Sequence, residues 1–230
     1  MSAQAYFTPR LFDFLRDLKA NNNRAWFLEH KSAYEKTDVR EPMLRFIEDF
    51  APRLKRISKH YLADSRPVGG SMFRIYRDVR FSHDKSPYKT HVAAHFTHDA
   101  GKNIHAPGFY FHLSPREVLV GSGIWHPDPE AAARIRAAIA SSSPAWTRAV
   151  SAPDFKAKCA LDGERLRRPP RGFDSDHKLI EDLKLKNFIA SASFAERDAC
   201  SPDFMDRFTG VCEASAPLMR FLTAALGLSW

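Results

Sequence analysis

Over the first fifty or so residues the apolar positions recur at helical spacing, and from about residue 68 the period changes to two. Leu11, Phe12, Phe14, Leu15 and Leu18 predict a helix after Pro9, with Thr8 as its N-cap. Asn21-Asn22-Asn23 ends it, and Asn23 caps a second helix carrying Trp26, Phe27, His30 and Tyr34. A third begins near Glu41-Pro42 with Met43, Leu44, Phe46, Ile47 and Phe50 as its stripe, and Pro52 is expected to kink or restart it. Four strands follow, at 71–81, 91–98, 107–114 and 117–125. Short turn-like links separate the last three, which favours antiparallel pairing. Asp128 then caps a helix with Pro129 in its first turn, running through Ile135 and Ile139 to a break at 141–144. Residues 145–158 read as short helical pieces and 163–176 as a basic, proline-rich loop. The last helix starts after Ser201-Pro202 and carries Phe204, Phe208, Val211, Leu218 and Phe221. With no internal repeat and no dividing linker, the expectation is one α+β domain, 1–230. Its mostly antiparallel sheet, about residues 71–125, packs on N- and C-terminal helices.

Alternation assigns the strand faces. In 71–81, Phe73, Ile75, Val79 and Phe81 oppose Arg74, Tyr76, Asp78 and Arg80, and Arg77 falls on the apolar side. A guanidinium there needs a carboxylate such as Asp84, or a β-bulge near Arg77-Asp78 that returns it to the polar side. In 91–98, Val92, Ala94 and Phe96 oppose His91, His95 and Thr97. In 107–114, Phe109, Phe111 and Leu113 oppose Tyr110 and His112. Gly121 and Gly123 share a face with Leu119 and Trp125. If the apolar side lies on the helices, the second face collects Arg74, Tyr76, Asp78, Arg80, His95, Tyr110 and His112. The two glycines there leave floor space for a ligand or a covering segment.

Composition narrows the setting. A hydrophobic content of 44% with 18 Phe suffices for a packed core and argues against disorder. No apolar run approaches a membrane span, and Arg10, Asp13, Arg16 and Asp17 interrupt any signal-peptide pattern. Three widely spaced cysteines, Cys159, Cys200 and Cys212, fit reduced thiols and a cytoplasmic setting. The formal net charge of +8 favours anionic partners.

The chemistry concentrates in residues 74–89, RIYRDVRFSHDKSPYK. Arg74, Arg77, Arg80, Lys85 and Lys89 outnumber Asp78 and Asp84 there, a balance suited to phosphate or carboxylate. Tyr76, Phe81 and Tyr88 lie among the charges, as single-stranded nucleic acid binding also requires. Seven of the ten histidines fall between 83 and 126. His91 and His95, four apart on a strand, are about 13 Å apart and cannot share an ion. A cross-strand His95–His112 pair with Asp78 is the one metal arrangement left, and no metal site is expected. No phosphate loop, dinucleotide fingerprint, HExxH or GxSxG is present, and the sequence leaves the cofactor unknown.

The stretch RDVRFSHDKSPYKTH at 77–91 resembles the hallmark of a bacterial family known as domain of unknown function 2461, described as conserved hypothetical proteins. NNNRAWFLEHKSAY at 21–34, GFYFHLSP and GSGIWHPDPE within 108–130, and RRPPRGFDSDHKLIEDLKLKNF at 167–188 resemble it in the same order. The resemblance implies that Arg77, Asp78, Arg80, Phe81, Asp84, Lys85, Tyr88 and Lys89 form a signature, and it implies no activity. Three expectations follow. In the first, a small anionic ligand is bound by Arg74, Arg77, Arg80, Lys85, Tyr88 and Lys89. If that ligand reacts, Asp78, Asp84, His95 and His112 are the candidate catalytic groups; if it is only bound, the protein is a binder and not an enzyme. In the second, the same face binds nucleic acid. In the third, the signature is a structural ion network.

Overall fold

A computed structural model describes residues 4–101 and 106–230; His105, one of the clustered histidines, and the first three residues lie outside the described residues. Helix α1 spans Pro9–Ala20 and α2 Arg24–Glu29, followed by a π-helical segment Ala33–Asp38 and helix α3, Arg40–Ile57. Asn23 caps α2 by accepting from the Trp26 amide at 3.0 Å. Thr8 occupies the N-cap position of α1 but makes no side-chain cap bond there. Helix α3 runs unbroken through Pro52, because the buried stripe of Met43, Phe46, Ile47, Phe50 and Leu54 continues on both sides of it. One lost backbone bond on an exposed turn is outweighed by that packing.

The sheet has six strands: β1 Tyr61–Leu62, β2 Val92–His98, β3 Gly108–Ser114, β4 Glu117–Ile124, β5 Ala160–Asp162 and β6 Phe188–Phe194. Their order is β1-β2-β3-β4-β6-β5, and every pair is antiparallel. Between β4 and β5 lie α4 (Pro129–Ser141), α5 (Ser143–Ser151) and α6 (Pro153–Lys158). Asp128 caps α4 by accepting from the Ala131 amide at 2.7 Å. The short α7 (Ile180–Leu183) precedes β6, α8 (Glu196–Ala199) follows it, and α9 (Phe204–Ala225) ends the order. The structure is one α+β fold. Among the described residues no helix is long and apolar enough to cross a membrane.

Strand β6 was not among the expected strands, although Phe188, Ala190, Ala192 and Phe194 alternate with Ile189, Ser191 and Ser193. It returns from beyond the proline-rich loop to pair with all of β4 except its first residue. The edge strands are short, with two residues in β1 and three in β5, which limits open edges for unwanted pairing.

The expected strand 71–81 does not form. Only Ser71 to Phe73 lie along β2, through the Phe73 amide on the Ala93 carbonyl and the His95 amide on the Ser71 carbonyl, each 2.9 Å. The chain then turns away and pairs with its own return limb. The Lys89 amide donates to Ile75 O at 2.8 Å, the Arg77 amide to Pro87 O at 2.9 Å, and Tyr76 bridges to Tyr88. Residues 74–89 therefore form an irregular hairpin arm at the sheet edge. The face assignment breaks with it: Ile75 is buried, Phe73 is half exposed, and Phe81 at the tip is 95% exposed.

One face of the sheet carries the core. Phe111 of β3 lies 5.0 Å from both Phe46 of α3 and Phe208 of α9, and Phe50 lies 4.9 Å from Phe96 and 4.8 Å from Phe208. Each such ring removes roughly 150–250 Å² from water, which holds α3 and α9 against the sheet. Phe111→Ala should cost about 3–5 kcal/mol in urea unfolding, whereas Phe81→Ala should change stability by no more than about 0.5 kcal/mol. Equal losses would contradict this placement of the core.

Candidate functional site

Because Phe109, Phe111 and Leu113 point into the core, Tyr110 and His112 must point outward. Register extends that outer face across the sheet. His95 stands opposite Tyr110, Tyr110 opposite Gly121, Gly108 opposite Gly123, and Gly123 opposite Ile189. These residues form the floor of a cavity of about 620 Å³, walled by Phe73, Trp125, Leu119 and Ala106. Gly123 admits no side chain, and one at Gly108 would displace the His95 ring. A Cβ on Gly108 would come within 2.1 Å of His95 Nε2, and Gly123, at φ +127°, would drive one to 2.1 Å from the Phe188 carbonyl. Gly121 is different: its nearest neighbour would be Tyr110 Cβ at 3.6 Å, so its missing side chain leaves usable space.

The polar groups on this face are neutral. Burial lowers the pKa of His95, and among the described residues its ring nitrogens have no hydrogen-bond partner. Tyr110 Oη lies 3.0 Å from His112 Nδ1. Burial lowers His112, while burial and then Glu117 raise Tyr110, so both are uncharged near neutral pH. His91 stacks on His112 at 4.7 Å, and burial, His112 and Lys89 push it down to about 4. An imidazole free on an apolar wall can donate to, accept from or exchange a proton with a bound molecule.

The arm carries the signature, and most of its charges are already paired. Arg77 donates to Asp84 at 2.5 Å and to the Ser86 carbonyl at 3.2 Å. Asp84 also accepts from the Ser86 amide at 2.9 Å and its hydroxyl at 2.6 Å. The Ser86 bonds and then Arg77 hold the Asp84 carboxyl at about 2, too weak a base to take a proton near neutral pH. Arg77 is thus half-buried in an ion pair rather than placed on an apolar face. Asp78 forms a two-point pair with Arg80, through Nε at 3.0 Å and Nη2 at 2.7 Å, and Arg80 lowers its pKa. That pair is exposed, and such pairs contribute little to stability. Lys85 donates to Val79 O at 3.0 Å. Tyr88 is buried and stacks on Phe27 at 4.2 Å. Its backbone is gripped by Asn22, whose Oδ1 accepts from the amide at 3.1 Å and whose Nδ2 donates to the carbonyl at 3.0 Å.

Between the arm and α1 lies a second hollow of about 390 Å³, lined by Lys19, Asn22, Arg77, Asp84, Lys89 and His91 among others. Three cationic side chains face one carboxylate here, and that carboxylate is engaged by Arg77 and Ser86. Lys89 donates to the Arg74 carbonyl at 2.9 Å, and burial followed by Arg74 lowers its pKa. Two contacts connect the hollows. Lys89 Nζ lies 5.2 Å from the Phe73 ring centroid, and the His91–His112 stack leads to Tyr110.

Of the expected site residues, Arg77, Asp84, Tyr88 and Lys89 converge on the basic hollow, and His95 stands in the outer-face cavity. Arg74, Asp78, Arg80 and Lys85 border neither hollow, and His112 reaches the cavity only through Tyr110. The arrangement of His95, His112 and Asp78 about one ion does not form, since Asp78 lies on the arm with Arg80 and His112 stands opposite Ala93. Lys19, Asn22, His91 and Phe73 were not among the expected site residues. Asn22 was legible only as a helix breaker. The basic loop at 163–176 lines neither of these hollows. Cys159, Cys200 and Cys212 are free thiols, all raised by burial and so poor nucleophiles.

The family model described as "Conserved hypothetical protein (DUF2461)" matches residues 10–221. The chain belongs to this family. No curated protein matches it. The part matched to DUF2461 contains the whole arm and both hollows, and the family description names no reaction.

The Asp84 network has a pH signature. Its folded pKa of about 2 lies below the ordinary 3.8, so its contribution is complete above about pH 4–5 and is lost as pH falls through 2. Amide exchange protection at Arg77 and Ser86 should fall across that window. In Asp84→Asn the protection should be low and flat with pH; an unchanged profile would mean that another group holds the arm.

Proposed function

We propose that the protein binds a small molecule combining a flat apolar ring with a phosphate or carboxylate group. The observation that carries this reading is the connection of a glycine-floored, aromatic-walled cavity with a hollow where cations exceed carboxylates. The ring would lie on Gly121 between Phe73, Tyr110 and Trp125, with its hydrogen-bonding edge toward His95. The anionic group would be held by Lys89 and Arg77, with Lys19 and Asn22 beside it. Burial and Arg74 both disfavour the Lys89 charge, and an arriving anion relieves both. If the ligand reacts, His95 is the side chain best placed to exchange a proton. Asp84 and Asp78 then serve to orient Arg77 and Arg80.

Calorimetric titration with phenyl phosphate and adenosine monophosphate, against phenol, adenosine and inorganic phosphate, tests this. At least one ring-bearing phosphate should bind more tightly than its neutral parent and than phosphate alone. Lys89→Ala should weaken it about 10–100-fold, the worth of one charge-assisted contact. Gly121→Leu should remove binding of the ring compounds while sparing phosphate. Ring-bearing phosphates that bind no better than phosphate, in wild type and variants alike, would overturn the proposal.

The exposure of Phe81 favours a second reading, single-stranded nucleic acid lying along the arm. Phe81 and Tyr76 would stack bases while Arg74, Arg80 and Lys85 meet phosphates. Oligonucleotide affinity should then fall steeply with salt and drop in Phe81→Ala; affinity indifferent to both would remove this reading.

A further inference from the structure

At the end of the sheet away from the arm, β1 and β2 bring together three groups with metal-ligating atoms. Tyr61 pairs with His98, which sets His60 beside Asp99, and the Asp99 amide donates to the His60 carbonyl at 2.8 Å. His60 Nδ1 lies 3.0 Å from Asp99 Oδ2, and His98 Nδ1 lies 3.3 Å from Asp99 Oδ1. One ligand atom from each of the three lies within 4.8 Å of the others. An ion bonded at about 2.0–2.2 Å in tetrahedral geometry separates its ligands by about 3.3–3.6 Å, and the two histidine contacts, made to opposite oxygens of Asp99, lie at or just under that separation.

The tautomer of His98 adds an independent argument. Its side chain is buried, and Nε2 lies 2.8 Å from the Ser229 carbonyl, which can only accept. The proton therefore belongs on Nε2. Nδ1 carries a lone pair, directed at the Ala100 amide at 3.0 Å and close to an Asp99 oxygen. The lone pair already accepts from that amide, so an ion joining Nδ1 to the Asp99 oxygen would have to displace it. Histidines that ligate metals usually donate their other N–H to a carbonyl or carboxylate, and the His98–Ser229 bond supplies that support. Ala100 is exposed, so water can take over its amide when an ion takes Nδ1.

We propose that His60 Nδ1, His98 Nδ1 and the Asp99 carboxylate bind one divalent first-row ion of the zinc, cobalt or nickel type. Two imidazoles and one carboxylate suit these ions and not magnesium or calcium, which take oxygen ligands. Three protein ligands leave at least one position for water or a ligand atom. His98 and Asp99 also line a hollow of about 550 Å³ that shares Phe73, His95 and Ala106 with the outer-face cavity. An ion held here would border that hollow, on the other side of the shared wall. The site does not depend on the ligand proposed above, because none of its three ligands lines that cavity or the basic hollow.

The test is titration of chelator-stripped full-length protein with Zn²⁺ by calorimetry and with Co²⁺ by visible absorption. The expected result is one equivalent bound, a cobalt spectrum of low-symmetry nitrogen–oxygen coordination, and a Tm that rises with Zn²⁺ concentration. His60→Ala and Asp99→Asn should each weaken binding more than about 100-fold, since loss of a direct ligand exceeds the 10–100-fold cost of losing a supporting partner. His60 and Asp99 are partly exposed, so both variants should keep the wild-type circular dichroism spectrum; His98→Gln, at a buried site, is a confirmatory variant only. His83→Ala, an exposed histidine on the arm, should bind as wild type. No stoichiometric binding by the wild type, or equal binding by His60→Ala and Asp99→Asn, would overturn the site. So would loss of binding in His83→Ala.

Discussion

Clamping of the sheet's inner face by aromatic side chains of α3 and α9 is the constraint on which the other features depend. Phe46, Phe50 and Phe208 hold Phe96 and Phe111 in place, and a slip of one residue in β2 or β3 would expose those rings and bury His95, Tyr110 and His112. The polar outer face is thus a consequence of the apolar inner one. The glycines follow from it as well, because β3 and β4 are locked in register where Gly108 meets Gly123 and Tyr110 meets Gly121. An open floor arises in the middle of a sheet that is otherwise rigidly specified.

The arm obeys a different rule. It has almost no ladder of its own, and its shape is kept by side chains bonding to backbone: Lys85 to Val79, Lys89 to Arg74, Asp84 to Ser86, Asn22 to Tyr88. Most of the basic signature is engaged in this way, so a sum of its charges overstates what remains for a partner. Arg77 and Lys89 are the exceptions, because they serve the arm and line a hollow at once. Architecture and binding therefore need not compete as explanations of the signature, since the bonds that shape the arm also place those two groups.

Much of this was legible in the sequence, and the limits have physical causes. Helices whose stripes are strongly periodic emerged with correct caps at Asn23 and Asp128. The central strands and the residues of their two faces emerged from alternation alone; of the two glycines expected to leave floor space, Gly121 does, whereas Gly123 is closed off by the Phe188 backbone. Alternation misled at 71–81, because a twisted hairpin limb keeps the composition of a strand while changing the neighbour it bonds to. Phe73 and Ile75 look equivalent in sequence and are separated by a turn. The pattern of β6 was present, but its small residues Ala190 and Ala192 gave a faint signal beside the long loop before it. The group formed by His60, His98 and Asp99 was beyond reach, because it depends on which strand lies beside the C-terminal end of β2.

The grip of Asn22 on Tyr88 bears on how the molecule can breathe. Apart from the short run beside β2 and the burial of Ile75 in the core, a single side-chain amide and one ring stack on Phe27 tie the arm to the helices. Release of those ties would free residues 74–89 as a unit while leaving the clamped sheet intact, an excursion far smaller than global unfolding. The wall that Lys89 gives to the basic hollow would loosen in the same event, while Phe73 stays bonded to β2. Access to the basic hollow would then be timed by a residue just beyond the end of α1 that itself lines it.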